Sequence, residues 1–259
     1  MDLGLAGKVA LVTGGTRGIG RAIVERLASE GCGVALCARS AGAVAATLEE
    51  LAASGVPTFG RSCDVTAPDE LEGLVRDAAD ALGRLDLLVA NVGGIVGGPL
   101  LESSDADWSA TLALNLLHCV RAARAAAPLM QANGGGSIVF VSSISGWKPA
   151  PLAQYGAAKA GTIHAASSLA RELAPSRIRV NAVSPGSLLF PGGGWESYRA
   201  ANPDRFGRFE NEELPAGRLG TPEEVADVVC FLLSTRARWV NGANVAVDGA
   251  QGNPSAEGY

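Results

Sequence analysis

Short, nearly continuous apolar runs alternate along this chain with longer stretches in which apolar residues recur every three or four positions. The runs occupy 9–13, 34–37, 85–90, 138–141, 178–183 and 244–247, with a weaker one at 59–63. They are rich in Val, Ile and Leu and lack polar alternation, which predicts parallel strands covered on both faces. Amphipathic segments at 21–30, 43–53, 70–82 and 108–130 predict helices between them. Such strand–helix alternation means βαβ units. The expected fold class is therefore α/β, one domain over 1–259 built on a doubly wound parallel sheet. A late helix is marked by Thr221-Pro222-Glu223-Glu224, with a capping Thr, Pro in the first turn and Glu three residues after the cap. Residues 185–220 follow no regular period, and their glycines, Pro191 and scattered aromatics predict a substrate lid over about 187–220.

With 47% hydrophobic and 18% charged residues, 259 positions suffice for one large core. The 34 glycines show neither a collagen period nor a linker, so they are read as tight loops. A formal charge of −5, from 21 basic and 26 acidic residues, offers no broad footprint for nucleic acid. The most apolar stretch, 85–101, is interrupted by Asp86, Asn91 and four glycines, which excludes it as a membrane span. Residues 1–8 carry no basic segment followed by an apolar one, so no secretory signal is expected. The scattered Cys32, Cys37, Cys63, Cys119 and Cys230 lack CxxC spacing. They fit buried thiols in a reducing, cytoplasmic setting, and no metal site is expected. His118 and His164 fall in helical patterns and are expected to pack or to face solvent.

The run 9–13 leads directly into Thr13-Gly14-Gly15-Thr16-Arg17-Gly18-Ile19-Gly20 and then into a helical pattern. Glycines let this turn close tightly and bring backbone N–H groups towards a pyrophosphate, and the helix start adds roughly half a positive charge. Its place in the first βαβ unit makes it a dinucleotide turn of the Rossmann type. At the end of the second run stands Cys37-Ala38-Arg39-Ser40. An acid at that place accepts the ribose 2′-OH of NAD, whereas a cation pairs with the 2′-phosphate of NADP. Arg39, with Arg17 in support, makes NADP(H) the expected cofactor in preference to NAD(H).

Tyr155-Gly156-Ala157-Ala158-Lys159 opens an Ala-rich helical stretch that Pro175 terminates. Residues four apart share a helix face, so phenol and ammonium can point into one cleft. A cation about 4 Å away, at an effective dielectric near 20, stabilises negative charge on the phenol oxygen by roughly 4 kcal/mol. A tyrosine so placed can both give and take a proton.

Together these residues resemble the short-chain dehydrogenase/reductase family over essentially the whole chain. Thr13-Gly14-x-x-x-Gly18-x-Gly20 looks like its cofactor turn, and Tyr155-x-x-x-Lys159 like its catalytic pair. Asp64-Val65 resembles the pair whose Asp meets the adenine amino group. Asn115 stands where the family places a helix Asn that helps position a relay water. Asn181-Ala182-Val183-Ser184-Pro185-Gly186 resembles the turn below the nicotinamide, and Val240-Asn241-Gly242 with Val247-Asp248-Gly249 the C-terminal signature. Two departures stand out. The family's Asn-Asn-Ala-Gly reads Ala90-Asn91-Val92-Gly93 here, and Leu189 occupies a position that often supplies a hydroxyl to the nicotinamide carboxamide, with Ser187 as the substitute.

The resemblance implies a serine that hydrogen-bonds the substrate oxygen. Ser143-Ile144-Ser145-Gly146 fits the family's Ser-x-x-Gly, but lies twelve residues before Tyr155. The usual interval is one longer and would select Ser142. Ser143 is preferred, because strand alignment is firmer than loop length. The implied activity is hydride exchange between a ketone and a secondary alcohol, with Tyr155, Lys159, Ser143 and Asn115 catalytic. That set argues against an idle dinucleotide-binding regulator. Trp147, Phe190, Trp195, Tyr198, Phe206 and Phe209 either favour a bulky apolar or aromatic substrate or simply pack the lid. A carrier-protein-bound 3-oxoacyl substrate is the alternative, with Arg121, Arg124 and Arg171 either facing an acidic carrier or lying on solvated helix faces. A homotetramer is expected from the family, through the Ala-rich faces of 108–130 and 155–174.

Overall fold

The computed structural model describes residues 2–256, so residue 1 and residues 257–259 of the expected domain lie outside the described residues. Seven strands appear: β1 (Val9–Thr13), β2 (Gly33–Ala38), β3 (Thr58–Ser62), β4 (Leu87–Ala90), β5 (Gly136–Val141), β6 (Ile178–Pro185) and β7 (Asn244–Val247). They form one sheet in the order β3-β2-β1-β4-β5-β6-β7, with every neighbouring pair parallel. Every residue of β1 and β4 is buried, which explains why these strands read as unbroken apolar runs.

Helices cover both faces. One face packs α3 (Pro68–Leu82), α5 (His118–Ala132) and α6 (Ala153–Leu173) through Leu71, Leu74, Ala122, Ala126 and Ala166. The other packs α1 (Gly18–Ser29), α2 (Ala41–Leu51) and α9 (Pro222–Leu233) through Ile23, Leu27, Val44, Val225 and Val229. Each such Leu or Ile, fully buried, favours the fold by about 1.5–3 kcal/mol over exposure. The chain reverses its direction of travel across the sheet between β1 and β4. A doubly wound sheet opens its ligand crevice at that switch point, beyond the carboxyl ends of the strands.

Two expectations need correction. The segment 108–130 is not one regular helix. It begins as α4 (Asp105–Leu112), passes through a π turn at Ala113–Leu117 that contains Asn115, and continues as α5. A π turn adds one residue to the helix without ending the apolar pattern, so spacing alone does not reveal it. The segment 187–220, expected as an irregular lid, is not irregular either, for it contains α7 (Gly194–Ala201) and α8 (Pro203–Glu213). Trp195/Tyr198 and Phe206/Phe209 do sit at helical spacing, but glycines and Asn202-Pro203 cut the pattern too short to read.

Those four aromatics are also turned inward. Trp195 stacks on Phe209 with centroids 4.7 Å apart and meets Tyr198 edge-on at 5.7 Å, in a small core with Leu214 and Leu219. They pack this segment against itself, so they no longer speak for an aromatic substrate. No helix among the described residues is long and apolar enough to cross a membrane.

Candidate active site

The Gly-rich turn leaves β1 and enters α1 at the switch point. Gly20 is there for close approach: a Cβ would stand 2.1 Å from the Gly14 carbonyl oxygen and 2.6 Å from Asn91 Nδ2. Asn91 pins the turn from β4, with its N–H donating to Thr13 Oγ1 at 2.9 Å and Nδ2 donating to the Thr13 carbonyl at 3.1 Å. Ile19 packs into the core below. Helix α1 starts without a side-chain cap and without an acid in its first turn, which leaves its N–H groups available to an anion.

A cleft of about 580 Å³ opens beside this turn, and Gly14, Thr16, Arg17, Arg39, Asp64, Val65 and Gly93 all line it. Arg17 and Arg39 are exposed, and no ion pair among the described residues involves either one. Hydrogen bonds from Thr66, aided by the Arg39 charge, hold the Asp64 carboxyl below the usual carboxylate range.

Tyr155 and Lys159 lie one turn apart on α6, with Lys159 Nζ 5.6 Å from the Tyr155 ring centroid. Lys159 is 2% exposed, donates to the Val141 carbonyl at 2.9 Å, and has no carboxylate partner among the described residues. Gly93 brings the cleft wall against both Lys159 and Asn115, since a Cβ there would meet Asn115 Oδ1 at 2.9 Å and Lys159 Nζ at 3.0 Å. The Asn115 side chain is spent on that wall. Its Nδ2 donates to the Gly94 and Thr111 carbonyls at 2.6 and 2.8 Å, and Oδ1 accepts from the Gly94 N–H at 3.2 Å.

The two serines diverge as they leave β5. Ser142 is buried and its hydroxyl donates to the Lys159 carbonyl at 2.9 Å. Ser143 is half-buried and, among the described residues, its hydroxyl accepts only from the Ser145 N–H, at 3.2 Å, and donates to none, which leaves its proton free to donate.

Pro185 ends β6, and the N–H groups of Gly186, Ser187 and Leu189 donate to the Val247 carbonyl, Gln251 Oε1 and the Gly220 carbonyl at 3.0, 2.7 and 2.9 Å. No acceptor among the described residues takes the Leu188 N–H, although Leu188 is only 6% exposed. Ser187 Oγ accepts from Gln251 Nε2 at 2.9 Å, and Ser187, 7% exposed, is not among the residues that line the 580 Å³ cleft. Sequence reasoning looked for a side-chain hydroxyl here and missed a main-chain donor, which carries no residue signature. It also missed Gln154, beside Tyr155, whose Nε2 donates to the Val96 and Gly98 carbonyls at 3.3 and 3.0 Å and steadies the loop after β4.

His118 is fully buried, and burial together with the Lys159 charge pushes its imidazole down to about 3. His164 is exposed. All five cysteines are free and buried, and no group of three or more His, Cys, Asp or Glu able to hold a metal occurs among the described residues.

Residues 14–250 match the family model described as enoyl-(acyl carrier protein) reductase. Isoepoxydon dehydrogenase patN of Penicillium expansum is 36% identical over 257 residues, spanning 96% of this chain and 96% of that protein. A structure of 7α-hydroxysteroid dehydrogenase complexed with NADH and 7-oxo glycochenodeoxycholic acid matches with a TM-score of 0.90 at 30% identity, covering 97% of this chain and 96% of its own. L-Sorbose reductase from Gluconobacter frateurii, complexed with NADPH and L-sorbose, matches with a TM-score of 0.89 at 32% identity, covering 97% and 98%. The chain belongs to the short-chain dehydrogenase/reductase family. It is an oxidoreductase that interconverts CH–OH and C=O groups with a nicotinamide dinucleotide.

Proposed function

We propose that this enzyme is an NADP(H)-dependent carbonyl reductase that takes a bulky apolar ketone to a secondary alcohol, or the reverse. The cofactor fits what the protein leaves open: the uncapped start of α1, the buried Leu188 N–H, and the cleft floored by Gly14 and Gly93. Arg39 carries the preference for NADP(H). It is an exposed guanidinium on the cleft with no ion pair among the described residues, at the place where a 2′-phosphate would lie.

A bound nicotinamide supplies the hydride. Tyr155 holds the proton on its phenol oxygen and gives it to the substrate oxygen. The Lys159 charge, buried beside the ring, stabilises the negative charge left on that phenol. The free hydroxyl proton of Ser143 stabilises the substrate oxygen as charge develops. Asn115 holds the Gly94 wall against Lys159 and supports proton resupply. Thr16, Arg17, Gly18, Asp64 and Val65 bind the remaining cofactor surface.

Exposed Ile95, Val96 and Trp147 flank the site and favour an apolar substrate. A free ketone is preferred to a carrier-linked one, because Arg121 donates to the Thr66 carbonyl and Arg124 pairs with Glu72. The homotetramer remains part of this reading, supported by half-exposed Leu117 between α4 and α5 and by Trp239, 96% exposed beside the edge strand β7.

The test is NADPH oxidation followed at 340 nm with free and carrier-linked ketones. Arg39→Asp should lower NADPH affinity by about a hundredfold, through a lost charge-assisted pair and new repulsion, and should leave NADH binding nearly intact. Unchanged kinetics with both cofactors would remove Arg39 from the 2′-phosphate site.

A further inference from the structure

Gln251 is 1% exposed, yet it belongs to the last described loop, 64 residues beyond the turn that it touches. Its amide grips Ser187 at two of its polar groups: Oε1 accepts from the Ser187 N–H at 2.7 Å, and Nε2 donates to Ser187 Oγ at 2.9 Å. Nε2 also donates to the Asn253 carbonyl at 2.9 Å. The amide cannot be reversed, because that would set NH2 against the Ser187 N–H and oxygen against the Asn253 carbonyl. Gly186 makes room for this grip, since a Cβ would stand 2.6 Å from Oε1.

The same loop reaches two other parts of the site. Lys148, just past the Ser143 turn, donates to Asp248 Oδ2 at 2.8 Å and to the Gln251 carbonyl. The N–H groups of Gly252 and Asn253 donate to the carbonyl and the carboxylate of Glu213 on the lid helix α8, at 2.8 and 2.5 Å. On the opposite flank of the turn, the Ser187 carbonyl and Leu189 N–H both bond Gly220, at 3.0 and 2.9 Å. Clamped on either side, the turn leaves the Leu188 N–H as its main-chain donor without a protein partner among the described residues.

We propose that Gln251 is a positioning residue for the nicotinamide end of the cleft. From outside the cleft it fixes the backbone of residues 186–189, so that the Leu188 N–H is presented at a set angle. It also ties that turn to the Ser143 turn and to α8, which makes the lid and the cofactor site one mechanical unit. This rests on the nicotinamide reading above.

The experiment compares NADPH with 2′-phospho-ADP-ribose, which lacks the nicotinamide, by calorimetry on the full chain. Gln251→Leu keeps the volume and removes every hydrogen bond of the amide. It should weaken NADPH by about tenfold and leave 2′-phospho-ADP-ribose unchanged. Equal affinity of variant and wild type for NADPH, or equal losses for both ligands, would overturn the proposal. If wild type binds neither ligand, the dinucleotide reading itself falls.

Hydrogen exchange on the wild type keeps the proposal exposed even if the variant fails to fold. Residues 186–189 and 248–253 should gain protection together with NADPH, and not with 2′-phospho-ADP-ribose. Protection of the turn alone would overturn the coupling.

Discussion

Helix α4 begins by closing on itself, and helix α1 does not. Ser104 Oγ accepts from the Asp107 N–H at 3.2 Å, while Asp107 Oδ2 accepts from the Ser104 N–H at 2.9 Å. At the start of α1, Arg17 caps nothing and no acid follows. Any helix start exposes up to four N–H groups without intrahelical partners. One start meets that need from its own side chains, and the other leaves it standing at the carboxyl end of β1, where an anion is the natural partner.

The same contrast divides the rest of the site. Arg39, the Leu188 N–H, the Ser143 hydroxyl proton and the Lys159 charge are only partly answered by the protein. Asn115, Ser142 and Gln251 are consumed by it. Residues of the first kind are proposed to meet ligands; residues of the second kind hold the first in place. Substitutions of the first kind should therefore act on activity or affinity directly, and those of the second on stability or through the groups they position.

The largest effect is expected at Tyr155. Tyr155→Phe removes the proton donor and should lower kcat by about three orders of magnitude, with melting temperature and NADPH affinity nearly unchanged. A variant within tenfold of wild type would place the proton elsewhere.

The serine pair sharpens the comparison, because neighbours in the chain fall on opposite sides of it. Ser143→Ala should cost about a hundredfold in kcat. Ser142→Ala should cost about 1 kcal/mol in stability, from a lost buried hydrogen bond, with little loss of rate. A larger rate loss at Ser142 would reverse the assignment and show that the interval to Tyr155 was the better guide.

His118 belongs to the consumed group and should act only on stability. Its imidazole stays neutral in the fold down to about 3, while the unfolded chain protonates it from about 6.5. Between those values the unfolded state binds the extra proton, so stability falls as pH falls, by about 1.4 kcal/mol per unit from this group. Urea melts at pH 7 and pH 5 should show a smaller drop for His118→Gln than for wild type. Identical drops would mean that His118 takes up its proton in the fold.

The smallest effect tests the closed helix start. Ser104→Ala should cost about 1 kcal/mol in urea melts and leave cofactor affinity untouched. A change in NADPH affinity would mean that the α4 start also serves the ligand.

Much of the scaffold was legible because it rests on local periods. Strands covered on both faces must be apolar at every position, as β1 and β4 are. The turn at Gly14–Gly20 could be read because only glycine tolerates the Gly14 carbonyl so near Gly20. The helices within 187–220 are not legible because α7 and α8 are short and their aromatics bury against each other, which leaves no long amphipathic stripe. The π turn escaped notice because it changes the helix count by one residue and not its polarity.

The sequence alone determined the alternation of strands and helices along the chain, the Gly-rich turn ahead of α1, and the pairing of Tyr155 with Lys159. Each depends on neighbours within one turn or one strand, where backbone geometry converts spacing into position. Only the tertiary structure decided that Ser142 faces the α6 backbone while Ser143 keeps a free proton, that Gly93 draws Asn115 and Lys159 together, and that Gln251 closes on Ser187. Those contacts join segments tens of residues apart. Their partners are chosen by how the sheet and helices pack, and a buried amide must find whatever polar group that packing brings to it.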